Sequence, residues 1–497
     1  MKTPYNNLFF LIASLTKNEK IYFKRFAGAS GSNENKIYLK LFNEIESQTI
    51  HKKYDEAKIK DKFKKENFIK QLHVAKIYLY NLILKSLYLQ NINYNELSKL
   101  REMINRIEVL FRKGLYVQCS KIISKAKKTA LKEEYMIELL RINYFEIKVQ
   151  RELFHSMHGK KMENNLPDLH SEKREIVKLI DNESIYEKYD SEIYLMLFKG
   201  NLPSKKEKQM LRKFLNSEHL VNVNKALTYN SKSSYYFAKA NLYNLLGKKE
   251  KDYEYQKKHI EYLEGNYKSS GSGMFRYVKL INNYVISSLT NNKFDDYDKY
   301  LEKLQKIPVS EINNKQVREK MEALIFRIYY SHKVNFSLLS GEYEDSYNKL
   351  SETIGGLNKH KKYIQNTYQL ALYLSISIIN FYAGNFNESL KWINHVINEK
   401  DYESKEDFYC FALMFSNVIH FELKNFELLE YNTKSTLNYL NKKNRVFIFE
   451  KKFLEFLRKY SMESDKNERK YYLDTIRTDV KSLMKNREEK IFVEFFD

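Results

Sequence analysis

The chain has 497 residues and a net charge of +23, with 86 Lys and Arg against 63 Asp and Glu. Its hydrophobic fraction of 43% is enough for a packed core, which argues against a disordered chain. Only 4 Pro and 13 Gly are present, and because both residues destabilise helix interiors, their scarcity favours long helices. Two cysteines, Cys119 and Cys410, cannot supply a disulfide framework or a four-ligand zinc site.

Residues 1–95 are predicted to form a basic N-terminal helical unit. The first 100 residues hold 18 Lys and Arg against 9 Asp and Glu. Thr16 and Glu19 have the spacing of a capping box that begins a helix, and residues 27–33 read as a loop. A long helix from Phe68 to about Leu89 carries apolar side chains over more than one face. We therefore expect that helix to be buried on two sides or to contact the segment that follows.

The apolar run at residues 8–15 has a faint likeness to the core of a signal peptide. It is short, and no small-residue cleavage site follows it. Elsewhere, no stretch approaches the roughly 20 apolar residues needed to span a bilayer. We therefore expect a cytoplasmic protein with no membrane insertion.

Between residues 96 and 445 a turn signal recurs at intervals of 40 to 49 residues. Each signal is a small or polar residue, often followed by an aromatic one, between two amphipathic runs. Its positions are Gly114, Gly159, Gly200, Gly247, Asn292, Gly341, Gly384 and Lys424. Such a period is typical of helical-hairpin repeats, so we predict about eight degenerate helix pairs. Residues 446–497 are predicted to be capping helices, and the segment 269–273 is predicted to be a turn between two halves of the array.

Small residues stand where the two helices of a hairpin must approach each other, at Cys119, Ser346 and Ser389. With the large residues earlier in each first helix, this pattern resembles the tetratricopeptide-like superfamily. The resemblance implies an all-α, right-handed α-solenoid that binds proteins or peptides on its inner face. The strings at residues 14–26 and 71–82 resemble an uncharacterised family of bacterial tetratricopeptide-containing proteins, which implies a helical cytoplasmic protein and no known activity.

Few residues suggest catalysis. His155 and His158 are three apart on a presumed helix, but a third metal ligand is not evident. The strings Ser14–Lys17 and Ser124–Lys127 match S-x-x-K without the companion motifs of acyl-transfer enzymes. We expect a non-enzymatic protein with no catalytic residue, cofactor or metal.

The preferred interpretation is a protein–protein interaction scaffold or adaptor that binds a peptide or a helical partner. The positive charge favours an acidic partner, and the oligomeric state stays open. Candidate contacts are taken from the first helices of the predicted hairpins: Lys239, Tyr243, Asn282, Asn283, Tyr329, His332, Lys333, Tyr373 and Asn380.

The alternative interpretation is a nucleic-acid-associated protein, either a transcriptional regulator or an RNA or ribosome binder. Lys and Arg contact phosphates in such proteins, and the N-terminal unit is the most basic part of the chain. Its candidate contacts are Lys52, Lys53, Lys64, Lys65, Lys70 and Lys76.

Overall fold

The computed structural model describes residues 7–29, 33–50, 54–91, 95–156, 166–198, 203–265, 271–312, 314–399, 406–443 and 448–483. Regular secondary structure in these ranges is helical throughout and includes no strand, which confirms the all-α class. The chain divides into two compact units, Met1–Gly271 and Ser272–Asp497. The division falls within the segment 269–273, where the sequence predicts a break. Gly271 to Gly273 nevertheless belong to a helix rather than to a turn.

Unit 1 contains thirteen helices among its described residues. They are α1 Asn7–Ser14, α2 Lys17–Ala29, α3 Asn33–Ile50, α4 Glu56–Lys62, α5 Leu72–Asn91, α6 Glu96–Arg112, α7 Tyr116–Glu133, α8 Met136–Ser156, α9 Leu166–Phe198, α10 Lys205–Leu215, α11 Glu218–Val221, α12 Tyr229–Leu245 and α13 Lys249–Gly265. Short 3-10 helices occur at Asn67–Gln71 and Val223–Lys225. From α6 to α9, each helix packs against the next one in the chain.

Unit 2 contains α14 Gly271–Thr290, α15 Phe294–Gln305, α16 Lys315–Ser340, α17 Tyr343–Asn348, α18 Leu350–His360, α19 Asn366–Tyr382, α20 Phe386–Ile397, α21 Glu406–Glu422, α22 Phe426–Lys442, α23 Ile448–Met462 and α24 Lys466–Leu483. Its 3-10 helices are Val309–Glu311 and Lys361–Tyr363. Each helix from α19 to α24 packs against the next, and α19 and α21 also contact each other. Within each unit, this sequential packing is that of an α-solenoid, as predicted.

Six of the eight predicted turn positions end a helix in the left-handed conformation. Their φ angles lie between 56° and 75°, at Gly114, Gly247, Asn292, Gly341, Gly384 and Lys424. At Gly114 the next residue, Leu115, donates its N–H to the carbonyl of Leu110 over 3.0 Å. This hydrogen bond between the first and the last of six consecutive residues is typical of a Schellman motif, which satisfies carbonyls left unpaired at the helix end. The turn signal therefore predicted helix ends correctly, while Gly159 and Gly200 lie outside the described residues.

Small residues allow the two helices of a hairpin to approach closely. In α7, the Cys119 Sγ lies 3.6 Å from the carbonyl oxygen of Ile107 in α6. In α20, the Ser389 hydroxyl donates to the carbonyl of Ser377 in α19 over 2.8 Å, and Ser377 donates back to the carbonyl of Ser389 over 2.7 Å. All three of these side chains are buried. A larger residue at either position would force the helices apart.

Helices α1 to α5 share a hydrophobic core that includes Phe23, Phe42 and Ile83. The predicted capping box is present, because Thr16 N–H donates to Glu19 Oε2 over 2.7 Å and Glu19 N–H donates to Thr16 Oγ1 over 3.3 Å. Helices extend into both ends of the loop predicted at residues 27–33, since α2 continues to Ala29 and α3 begins at Asn33, and residues 30–32 lie outside the described residues. The domain boundaries predicted at residues 95 and 445 stay predictions.

Helix α5 is not buried on two sides, but it does contact the segment that follows, since the side-chain amide of Asn105 in α6 donates to the Tyr88 hydroxyl over 3.4 Å. Its apolar side chains do cover more than one face, but only one face is buried. The other face exposes Val74, Ile77, Leu84 and Tyr88, each more than 40% accessible. Because exposed apolar side chains on a single helix face gain nothing from the core, this surface contributes little to the stability of the helix.

Candidate functional site

Two groups of predicted contact residues are brought together by the structure, one in each unit. In unit 2, Asn282 of α14 and His332 of α16 contact each other. In unit 1, Lys239 and Tyr243 lie together on α12. The helices α12, α14, α16 and α19 each precede a predicted turn position, so all are first helices of hairpins.

The unit 2 group is extended by Arg327 of α16. Its guanidinium carbon lies 3.8 Å from the centroid of the Tyr368 ring in α19. Among the described residues, no carboxylate forms an ion pair with this half-buried guanidinium. A guanidinium stacked on an aromatic ring keeps its edge N–H groups available. Those groups match the two oxygens of a carboxylate in a bidentate arrangement.

His332 lies beside Arg327 and is only 5% exposed. Burial, and then the positive charge of Arg327, lower the pKa of His332 to about 4. The imidazole is therefore neutral at pH 7, and its Nε2 donates to Oδ1 of Asn282 over 3.2 Å. Tyr297 of α15 fixes the same turn of helix by donating its hydroxyl to the carbonyl of His332 over 2.8 Å.

These contacts link three first helices: Asn282 and His332 connect α14 to α16, and Arg327 and Tyr368 connect α16 to α19. We call the set Asn282, Arg327, His332 and Tyr368 the arginine strip. Burial lowers the pKa of Arg327, and Tyr368 opposes this shift. The guanidinium nevertheless stays charged at neutral pH. The arginine strip therefore places one cation, without an ion-paired carboxylate among the described residues, beside neutral polar groups.

The unit 1 group places a lysine between two tyrosines. Lys239 is only 6% exposed, and its Nζ lies 5.5 Å from the ring centroid of Tyr243 and 5.4 Å from that of Tyr255 in α13. Burial, and then the charge of Lys251, lower the pKa of Lys239. Contact with aromatic faces compensates a buried cation only in part.

The five remaining candidate contacts differ in depth. Tyr373 is buried against the rings of Trp392 and His395. Asn380 is buried, and its side-chain amide donates to the carbonyl of Ile376 one turn earlier. Three others are half-buried: Asn283, Tyr329 and Lys333.

Four of the six N-terminal lysines lie among the described residues. Lys52 and Lys53 lie outside the described residues. Lys64, Lys65 and Lys70 are exposed. Lys76 is half-buried, pairs with Glu56 of α4, and lies 5.1 Å from the ring centroid of Tyr54. Because Lys76 already has an anionic partner, it is less available for a phosphate than Lys64, Lys65 or Lys70. Of the predicted histidine pair, His155 lies in the last turn of α8, and His158 lies outside the described residues.

Sequence reasoning missed Arg327, Tyr368 and Tyr255. Arg327 is one of many cations in a basic chain, and Tyr368 is one of 41 tyrosines. No local spacing relates Arg327 to Tyr368, because helices α17 and α18 separate them. The repeat register could have supplied a signal, since both precede predicted turns by similar distances, at Gly341 and Gly384.

No protein-family model matches this chain, and comparison with the curated proteins found no significant relative. None of the described helices combines the length and the apolar character that a bilayer span requires.

Proposed function

We propose that the chain is a non-enzymatic scaffold or adaptor of tetratricopeptide-like type, which binds an acidic peptide or an acidic helix of a partner protein in the cytoplasm. The arginine strip is the site at which we expect the contact. The observation that carries the proposal is the stacking of Arg327 on Tyr368 without an ion-paired carboxylate among the described residues. The basic charge of the chain as a whole agrees with an acidic partner.

The chemistry of the strip favours a carboxylate over a neutral group. Tyr368 fixes the plane of the guanidinium before a partner arrives, which reduces the entropy lost on binding. His332 is neutral at pH 7, because its pKa is about 4, and so it adds no second positive charge. A single, oriented guanidinium fits an Asp or Glu side chain, or the terminal carboxylate of a peptide.

The test is selection of peptides from a random displayed library with the full chain. The proposal expects enrichment of Asp, Glu or free C-terminal carboxylates, and loss of that enrichment with Arg327→Met. Arg327→Lys keeps the charge but not the planar fork, and is expected to recover little binding. The control is Lys320→Met, an exposed residue earlier on α16 that removes the same charge. Selection of the same acidic peptides by Arg327→Met would overturn the proposal.

A second candidate function rests on the N-terminal unit. Lys64, Lys65 and Lys70 are exposed and form no ion pair with a described carboxylate, which suits contact with phosphates. If the unit binds nucleic acid, changing these three lysines to Glu should weaken binding and reduce its salt dependence. The control is the triple change to Glu at the exposed Lys121, Lys125 and Lys128 of α7.

A further inference from the structure

The hairpin formed by α12 and α13 places three ammonium groups around two adjoining tyrosine rings. The ring centroids of Tyr243 and Tyr255 are 5.4 Å apart. Lys239 Nζ lies at nearly equal distances from both, 5.5 and 5.4 Å. Lys251 Nζ lies 5.9 Å from the Tyr243 centroid, and Lys258 Nζ lies 4.9 Å from the Tyr255 centroid. We call these five residues the lysine cluster.

The three lysines differ in depth. Lys251 and Lys258 are exposed, Tyr243 and Tyr255 are half-buried, and Lys239 is more than nine-tenths buried. Among the described residues, none of the three lysines forms an ion pair with a carboxylate. The carboxylates close by are Asp252, which accepts from Gln256, and the exposed Glu254, whose charge acts on Tyr255.

A buried ammonium without a counter-ion is unfavourable, because no opposite charge offsets the free-energy cost of its desolvation. Burial and the nearby Lys251 both lower the pKa of Lys239, which is the expected response to a cation held in this way. Such lysines occur at sites whose function requires a cation or a free amine. A purely structural role would be served better by an apolar side chain of similar volume.

We propose that the lysine cluster binds a phosphate group, with Lys239 at the base of the site and Lys251 and Lys258 at its entrance. Three point charges suit a phosphate monoester, which carries about −1.5 to −2 charges at pH 7. Lysine binds phosphate as a point charge, whereas the planar fork of arginine is the better match for a carboxylate. The tyrosine hydroxyls can act as further donors. This site is independent of the proposed function, since it lies in unit 1 and takes a different ligand.

The phosphate has two sources to be distinguished: free phosphate, and a phosphorylated residue of a partner protein. Calorimetric titration of the full chain with inorganic phosphate and with a phosphoserine peptide distinguishes these sources. Equal affinities would indicate a site for free phosphate, and tighter binding of the phosphopeptide would indicate a phosphorylated partner. The unphosphorylated peptide, and acetate at the same ionic strength, are expected not to bind.

The deciding variants are Lys239→Met and Lys257→Met. Both remove one positive charge, but the exposed Lys257 of α13 does not belong to the cluster. Lys239→Met is expected to weaken phosphate binding about tenfold or more, since a charged hydrogen-bonding partner is lost. Lys257→Met is expected to have little effect. Equal weakening by both variants would show non-specific attraction and would overturn the proposal.

A second measurement does not depend on the folding of Lys239→Met. The full chain is treated with an amine-acylating reagent, and modification of each lysine is followed by mass spectrometry. Phosphate is expected to protect Lys239 selectively, and Lys251→Gln, which changes an exposed side chain, is expected to reduce that protection. Acylation of Lys239 at the same rate with and without phosphate would contradict the proposal.

Discussion

Gly356 of α18 lies against the ring of Phe326 in α16, so closely that a methyl group on the glycine would overlap three ring atoms. Its neighbour Gly355 is exposed, and a methyl group there would meet no atom within 4 Å. These adjacent glycines therefore have opposite expected responses to the same substitution. Gly356 permits the close packing of α18 on α16, whereas Gly355 has no part in that packing.

Gly356→Ala should destabilise unit 2 by about 1 to 3 kcal/mol, because the buried ring must move from a packed position. Gly355→Ala should instead stabilise it by up to about 1 kcal/mol, since alanine loses less backbone entropy in a helix. Chemical denaturation of the two variants and the parent measures both changes. Equal effects of the same sign would show that the contact with Phe326 does not control packing at this position.

Lys424 offers a test of the left-handed turns. Its φ of 58° is unfavourable for a side chain with a Cβ, so Lys424→Gly should stabilise the chain by about 1 kcal/mol. Lys434→Gly, at an exposed position inside α22, should cost about 1 kcal/mol instead. The two substitutions are chemically identical, and thermal melting should therefore shift in opposite directions.

Glu134 shares the left-handed conformation but has a second role. Its φ is 53°, and its carboxylate accepts the backbone N–H of Tyr229 at the start of α12 over 2.9 Å. Glu134→Gly relieves the backbone strain but removes this bond, which is worth about 1 kcal/mol. We therefore expect no net gain in the free energy of unfolding, in contrast to Lys424→Gly. A gain equal to that of Lys424→Gly would show that the bond to Tyr229 contributes nothing.

His332 predicts a pH dependence of stability. Burial and Arg327 lower its folded-state pKa to about 4, whereas the unfolded value is about 6.5. The unfolded chain therefore binds the proton first as the pH falls, so stability decreases from about pH 6.5 to about pH 4. The loss attributable to this residue is up to about 3 kcal/mol.

The measurement compares denaturation of the parent chain with His332→Gln between pH 7 and pH 4. The glutamine variant should lose less stability on acidification, since it has no imidazole to protonate. His73→Gln, at an exposed position on α5, serves as the control and should retain the slope of the parent. A parent-like slope in His332→Gln would mean that His332 does not titrate in this window.

Glu44 and Lys62 form an ion pair whose two partners differ in exposure. The Glu44 side chain is 3% exposed and that of Lys62 is 56% exposed. Burial raises the pKa of Glu44, but hydrogen bonds from Lys62 and Gln48 and the charges of Lys62 and Lys58 outweigh it, so the net shift is downward. The ordinary pKa of a Glu side chain is 4.5. The stabilisation from this ion pair is therefore present above pH 4.5 and is lost as the pH falls below it.

Lys62→Met should cost about 1 to 3 kcal/mol, because it leaves a buried carboxylate without its main partner. Lys60→Met is the matched control, since Lys60 is equally exposed on the same helix and forms an i,i+4 pair with Glu56. It should cost less than about 0.5 kcal/mol. Similar costs in urea denaturation would indicate that the burial of Glu44 does not determine the outcome.

The repeating turns were predictable because the left-handed helix ending depends on a few consecutive residues. Gly114 and Gly384 are marked locally by the absence of a side chain, and Asn292 by its tolerance of positive φ. Glu134 was not predicted, since its left-handed conformation is compensated by a bond to Tyr229, a residue far along the chain. The local sequence pattern therefore predicts helix ends such as those at Gly114 and Gly384, whereas the helix end at Glu134 involves a residue far along the chain.

The candidate site was predictable only in part. The repeat register located Asn282 and His332 on first helices, and the structure brings them into contact. Burial could not be derived in the same way: His332, Tyr373 and Asn380 are buried, whereas Asn282 and Asn283, also on a first helix, are half-buried. Side-chain depth depends on how far each helix is rotated about its axis, and degenerate repeats leave that rotation undetermined.

The sequential packing of these helices also bears on synthesis at the ribosome. Each major core draws on helices that are close in sequence, such as α1 to α5 around Phe23 or α6 to α9 around Ile123. Contacts between near neighbours close short loops, which lowers the entropic barrier to folding. The first core can therefore form while later helices are still being translated. A nascent chain of this kind exposes chiefly the helices of the core that is still incomplete, which limits the additional apolar surface available for aggregation during synthesis.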